Sequence, residues 1–248
     1  MYAMNTLQPM ILRLMNKFVE TINYDELLLE DGYTKLVKLS ALNLACQLGH
    51  TTCQENATIR LNAYISDPAA NRIPSDAEYW ILCMGLVNAN RSTWDALFQL
   101  KMQNLHESLK FLSCAGDPAI IAHYLSLSLM TNTSLSRFIE PSGVLMELNT
   151  DIPANIDAEL DFVTRNFDKL ANLTDVTEGV LDNLIWKISR MDQMDKLKTF
   201  LRARGINKDS SIHYRETALK AIEAEIDQIS SWLTIAANRN ITVTPVPQ

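Results

Sequence analysis

Glycine and proline are scarce in this chain, seven and eight among 248 residues. A fold of many short strands needs frequent turns, which those two residues supply, so their scarcity favours long helices over a turn-rich β architecture. Long apolar runs are missing as well. None approaches the roughly 18 residues that a membrane-spanning helix requires, so no direct membrane insertion is expected. The opening residues, Met1-Tyr2-Ala3-Met4-Asn5-Thr6, have neither a basic n-region nor an apolar h-region, and no signal peptide is expected there. Positive charge is in deficit, with 22 Lys and Arg against 29 Asp and Glu and a net charge of −7. Without a basic stripe to neutralise phosphates, nucleic acid is not an expected partner.

Catalytic constellations are lacking too. A zinc peptidase needs two histidines four apart on one helix, with a glutamate beside the first, so that metal and general base share a face. The histidines are His50, His106, His123 and His213, and no two stand four apart. His106-Glu107 runs on into Ser108-Leu109-Lys110, without a second ligand. No Gly-rich phosphate loop, nucleophile elbow or C-x-x-C pair occurs. Single carboxylates such as Glu147 and Asp161 define nothing alone. The expectation is a chain with no catalytic residue, no metal and no cofactor of its own.

What the sequence does hold is helical periodicity. Apolar residues make up 47% and charged residues 21%, ordinary for a globular protein. From Leu7 a stripe runs through Met10, Ile11, Leu14, Met15, Phe18, Val19 and Ile22 at helical spacing. Further helices are expected over 33–48, stopped by Gly49, and over 52–66, stopped before Pro68. Ser75-x-x-Glu78 reads as a capping box. Helices follow at 92–102 and 105–114, and Asp117-Pro118 opens another through about Met130. After an irregular stretch at 131–157, with a short helix near 144–148, helices resume at 156–171, 176–190, 193–204 and 211–237. The fold expected is all-α, an α-solenoid or superhelical bowl of about a dozen stacked HEAT-like helices. It divides into an N-terminal lobe (1–131), a C-terminal lobe (132–237) and an extended tail (238–248).

Four cysteines, Cys46, Cys53, Cys83 and Cys114, leave two readings open from spacing alone. Scattered cysteines are most often reduced core residues. Yet Cys46 ends one expected helix and Cys53 begins the next across the Gly49-His50 turn, so a bridge there would staple a helical corner. Five N-x-[ST] sequons, at Asn56, Asn90, Asn132, Asn172 and Asn240, add mild support for a secreted context.

Three motifs carry a family resemblance. Ala45-Cys46-Gln47-Leu48-Gly49-His50-Thr51-Thr52-Cys53 resembles the corner found in the C-terminal domain of aminopeptidase N-type zinc peptidases. Cys83 is followed by Trp94-Asp95, and Cys114-Ala115-Gly116-Asp117-Pro118 by Tyr124-Leu125, both as in that family. More weakly, the similarity extends from about Leu7 to Leu233. The resemblance implies two disulfides, Cys46–Cys53 and Cys83–Cys114. It also implies a helical bowl that closes over a catalytic domain and walls off the substrate chamber. Zinc and the exopeptidase motif would belong to domains preceding Met1. Relatives carry Arg-x-Gln-Asp at the opening of the C-terminal lobe. Here it reads Arg137-Phe138-Ile139-Glu140, which makes Arg137 the candidate peptide-contacting residue. The family's Gly-x-Gly…Trp-Asp-Phe segment becomes Asn155-Ile156-Asp157-Ala158-Glu159-Leu160-Asp161-Phe162, so the inner surface is altered.

The function implied is that of a non-catalytic chamber domain of an extracellular or cell-surface zinc aminopeptidase, present without its catalytic domain. Its expected partners are that catalytic domain and peptide substrates. The alternative is a free-standing helical scaffold whose concave face binds peptides or partner proteins.

Overall fold

The computed structural model describes residues 2–29, 32–103, 109–130, 139–150, 152–173 and 179–238, and the protein is all-α, with no strand among the described residues. The helices are α1 (Tyr2–Val19), α2 (Tyr24–Leu27), α3 (Gly32–Gln47), α4 (Thr51–Ser66), α5 (Arg91–Gln103) and α6 (Pro118–Leu127). They continue as α7 (Pro141–Met146), α8 (Pro153–Ala171), α9 (Leu181–Lys187), α10 (Met191–Ala203) and α11 (Asp209–Asn238). A π-helical turn, Tyr79–Met84, lies between α4 and α5, and a 3-10 turn, Lys110–Cys114, between α5 and α6.

Several boundaries follow from local chemistry. Gly49 takes φ +88, the left-handed conformation that ends α3. Its N–H donates to the Cys46 carbonyl, and the His50 N–H to the Ala45 carbonyl, the paired bonds of a Schellman motif. Asp117 caps α6 by accepting the Ala119 N–H at 2.8 Å, with Pro118 in the first turn, where a missing N–H does no harm. α10 stops before Gly205, at φ +67.

Elsewhere the structure departs from the periodicity. The expected capping box does not open the helix near Ser75. A turn closed by the Ala77 N–H on the Pro74 carbonyl precedes Glu78, whose side chain makes no cap bond. The helix then widens into the π turn. The stretch expected as a helix over 105–114 holds the tighter 3-10 turn at its end, while 104–108 lie outside the described residues. The helix expected over 176–190 is shorter, because Ile188 swings to ψ 125 and ends α9. α8 is kinked at Asn166 (φ −112, ψ 15), whose side-chain amide bonds the Phe162 carbonyl at 2.9 Å and competes with the helix's own ladder.

Chain neighbours pack on one another: α3 on α4, α4 on the π turn, the π turn on the 3-10 turn, and α8 on α6, α9 and α10. α1 lies against both α3 and α11. Buried apolar side chains from Val19 to Leu219 form one continuous core. Its largest members include Trp80 and Trp94, both fully buried.

Candidate functional site

The π turn and the 3-10 turn hold the chemistry that distinguishes this core. By inserting an extra residue per turn, the π turn keeps Trp80, Ile81, Leu82, Cys83 and Met84 all buried. Cys83 is thereby aimed at Cys114 at the end of the 3-10 turn, and the two form a disulfide with Cα atoms 5.0 Å apart. Gly116 is what lets the two turns close up. A Cβ there would sit 2.5 Å from the Val87 carbonyl oxygen, the same oxygen that accepts the Gly116 N–H. Trp94 of α5 roofs the bridge region. Its Nε1 donates to the Leu112 carbonyl at 2.8 Å, and its ring stacks on Phe98 and meets Tyr124 edge-on.

Two asparagine amides extend this node toward α8. Asn149 Nδ2 lies 3.1 Å from both disulfide sulfurs, and its backbone N–H donates to the Ser113 hydroxyl at 3.0 Å. Asn155, buried in the first turn of α8, donates from Nδ2 to the Ser113 carbonyl at 2.7 Å and the Asn149 carbonyl at 3.0 Å. One side chain thus ties the 3-10 turn, the 147–152 connection and α8 together. Asn155→Ala takes its donor from the Ser113 carbonyl, at a buried bond, and from the part-buried Asn149 carbonyl. A buried unsatisfied group carries a penalty of about 1–3 kcal/mol, a part-buried one less. A urea midpoint lowered by a loss of about 2–4 kcal/mol is expected, with the slope unchanged. A midpoint equal to that of the parent protein would contradict the network.

The second bridge, Cys46–Cys53, staples the α3–α4 corner with Cα atoms 5.4 Å apart, and both residues are fully buried. His50 is the N-cap of α4. Its Nδ1 accepts the Cys53 N–H at 3.3 Å, so the ring acts as a structural acceptor. Gln54 returns across the corner, donating to the Cys46 carbonyl at 2.8 Å. Beside this corner α1 forms a cleft of about 640 Å³ with Leu12, Arg13, Asn16, Tyr24, His50 and Thr51 on its walls.

Charges gather along α8. Asp157 binds Arg190 through both carboxylate oxygens, at 3.0 and 3.2 Å, and accepts from Gln193 at 2.9 Å. Burial pushes its carboxyl up, but the bonds from Arg190 and Gln193 outweigh that and hold it below the usual range. Two residues on, Glu159 is completely buried, with Lys187 Nζ of α9 at 3.2 Å from each of its oxygens. The same ammonium donates to the Leu145 carbonyl of α7. Burial pushes the Glu159 carboxyl up to about 7, against the opposing pull of Lys187. A cleft of about 410 Å³ opens between α6 and α8, floored by Pro118, Ala122, Ala158 and Phe162 and rimmed by Asp157 and Asp161.

Arg137, the expected peptide contact, lies outside the described residues, as do Asn132 and Asn240. Asn56, Asn90 and Asn172 lie within them, Asn56 inside α4, Asn90 just before α5 and Asn172 at the C-cap of α8. Among the described residues no group of three or more His, Cys, Asp or Glu side chains is placed to hold a metal ion, and no helix is long and apolar enough to cross a membrane. Sequence reasoning missed Asn149, Asn155, Glu159 and Lys187. Each acts on a partner 28 or more residues away, so no local pattern exposes it.

Fold and site together define a helical domain with two disulfide staples and a buried amide node that joins one of them, Cys83–Cys114, to a later helix. The family model described as the ERAP1-like C-terminal domain matches residues 1–224, and the chain belongs to that family. Aminopeptidase N of Bos taurus is 24% identical to it over 254 residues, a match covering 96% of this chain and 25% of that relative. The chain thus spans about a quarter of the length of the curated relative it matches.

Proposed function

We propose that this chain is the non-catalytic C-terminal domain of a zinc aminopeptidase, closing the substrate chamber of a catalytic part and controlling which peptides enter. The observation that carries the reading is the family match over residues 1–224, set beside a relative four times as long that is named an aminopeptidase. In this reading zinc belongs to the catalytic part, and this chain carries no chemical step of its own. What the chain supplies is a wall. Its two disulfides suit an oxidising, extracellular compartment. The cleft between α6 and α8, and Arg137, are proposed to face peptide. The purified chain supplied with zinc is expected to leave aminoacyl amide substrates intact. Stoichiometric zinc with turnover in a clean preparation would overturn the assignment.

A second reading, a free-standing scaffold, is favoured by α3. That helix buries Leu39, Leu42, Ala45 and Cys46, yet its other side exposes Tyr33, Leu36, Val37 and Leu44. A helix apolar on both sides fits a surface covered by a partner. Purification from its native source discriminates the two, since a scaffold needs no aminopeptidase catalytic segment in its complex.

A further inference from the structure

The fold treats the sequons within the described residues differently. Asn90 lies exposed in the turn that enters α5, and its Oδ1 caps that helix. The oxygen accepts the Thr93 N–H at 2.9 Å and the Ser92 hydroxyl at 2.7 Å. Both bonds use the oxygen, and the amide nitrogen is engaged in neither. N-glycosylation consumes one hydrogen on Nδ2 and leaves Oδ1 an amide oxygen, so cap and glycan can share this side chain. The sequon hydroxyl of Ser92 already sits against the acceptor amide.

Asn56 is the opposite case. It stands in the middle of α4, half-buried, with Nδ2 donating to the Thr52 carbonyl at 2.9 Å and Oδ1 accepting from Arg60 at 3.2 Å. Arg60 is in turn bound to Asp25 at 2.6 Å and lies over the rings of Tyr24 and Trp80. The Thr58 hydroxyl of that sequon is engaged by the Gln54 carbonyl at 2.9 Å. A bulky, solvated oligosaccharide at Asn56 would have to displace this packed cluster.

We propose that Asn90 carries an N-linked glycan and that Asn56 does not. In the modification the Asn90 Nδ2 loses a proton and bonds to the anomeric carbon of a lipid-pyrophosphate-linked oligosaccharide. The bond from that carbon to the pyrophosphate oxygen breaks, and the lipid pyrophosphate departs with the electron pair. The assignment rests on the extracellular reading above, because the donor lipid and the oxidising lumen belong to one secretory route.

The test is glycopeptide mapping of the full chain recovered from the secretory pathway of a eukaryotic host, using an amidase that turns each glycosylated asparagine into aspartate. Conversion at Asn90 and an unmodified Asn56 are expected. Asn90→Gln and Ser92→Ala should each remove the same single glycan from the mobility of the intact protein. Ser92→Ala keeps the Asn90 oxygen and therefore the helix cap, so its loss of glycan does not depend on a damaged fold. A bare Asn90 in a chain with both disulfides formed, or a glycan on Asn56, would overturn the assignment alone. No glycan anywhere together with four free thiols would overturn the extracellular reading along with it.

Discussion

Replacing Cys83 and Cys114 together with alanine is expected to lower the unfolding free energy by about 3–4 kcal/mol, whereas the same change at Cys46 and Cys53 should lower it by about 2–3 kcal/mol. The difference comes from loop length. The first bridge closes a loop between residues 31 apart and the second between residues 7 apart, and the longer loop restricts the unfolded chain more. The first pair also anchors Asn149, whose side-chain amide lies against both sulfurs and whose backbone carbonyl accepts from Asn155. Its removal should therefore loosen the start of α8, and amide hydrogen exchange there should quicken in that variant and not in the other. Equal losses in urea titrations of the two variants, or a larger loss at the α3–α4 corner, would contradict the account.

Lys187→Met is expected to destabilise the protein by about 3–5 kcal/mol at mildly alkaline pH, because it strands a fully buried carboxylate. The penalty should shrink as pH falls, since a carboxyl pushed up to about 7 by burial takes up a proton and ceases to be a charge. The sign also runs through the parent protein. Folded Glu159 holds its proton more tightly than an unfolded glutamate with its ordinary value near 4.5. Its contribution to stability is thus present below that ordinary value and lost as pH rises through about 7. Replacing both partners with apolar residues, Glu159→Leu with Lys187→Met, should recover most of the loss and flatten this pH dependence. Thermal melts of the single and double variants across this range give the comparison. A single variant as stable as the parent above neutral pH would remove the pair from any role in holding α8 to α9.

Much of the fold was legible because its boundaries are set locally. Gly49, Gly205 and Asp117-Pro118 punctuate helices through φ/ψ and capping chemistry that acts within a few residues. The π turn at 79–84 was not legible, nor was the 3-10 turn at 110–114. In both, the departure from the α repeat accompanies tertiary demands, the burial of five consecutive side chains in one case and the meeting of Cys83 with Cys114 in the other. The amide node was invisible for the same reason. Asn149 reaches a cysteine 66 positions away, and Asn155 a carbonyl 42 away. The cysteine pairing came with the family resemblance, since spacing alone left reduced core cysteines open. What that resemblance pointed to as a peptide contact, Arg137, falls outside the described residues.

We propose that this chain shapes the work of a catalytic partner, with the chemistry residing in that partner. This proposal is tested most directly by the hydrolysis of a peptide length series by an aminopeptidase N catalytic part lacking its own C-terminal domain, measured with and without this chain. No hydrolysis by the chain alone, and a shift in the length preference of the catalytic part when the chain is added, are expected. A length profile unchanged at saturating chain, or cleavage by the chain alone, would contradict the proposal.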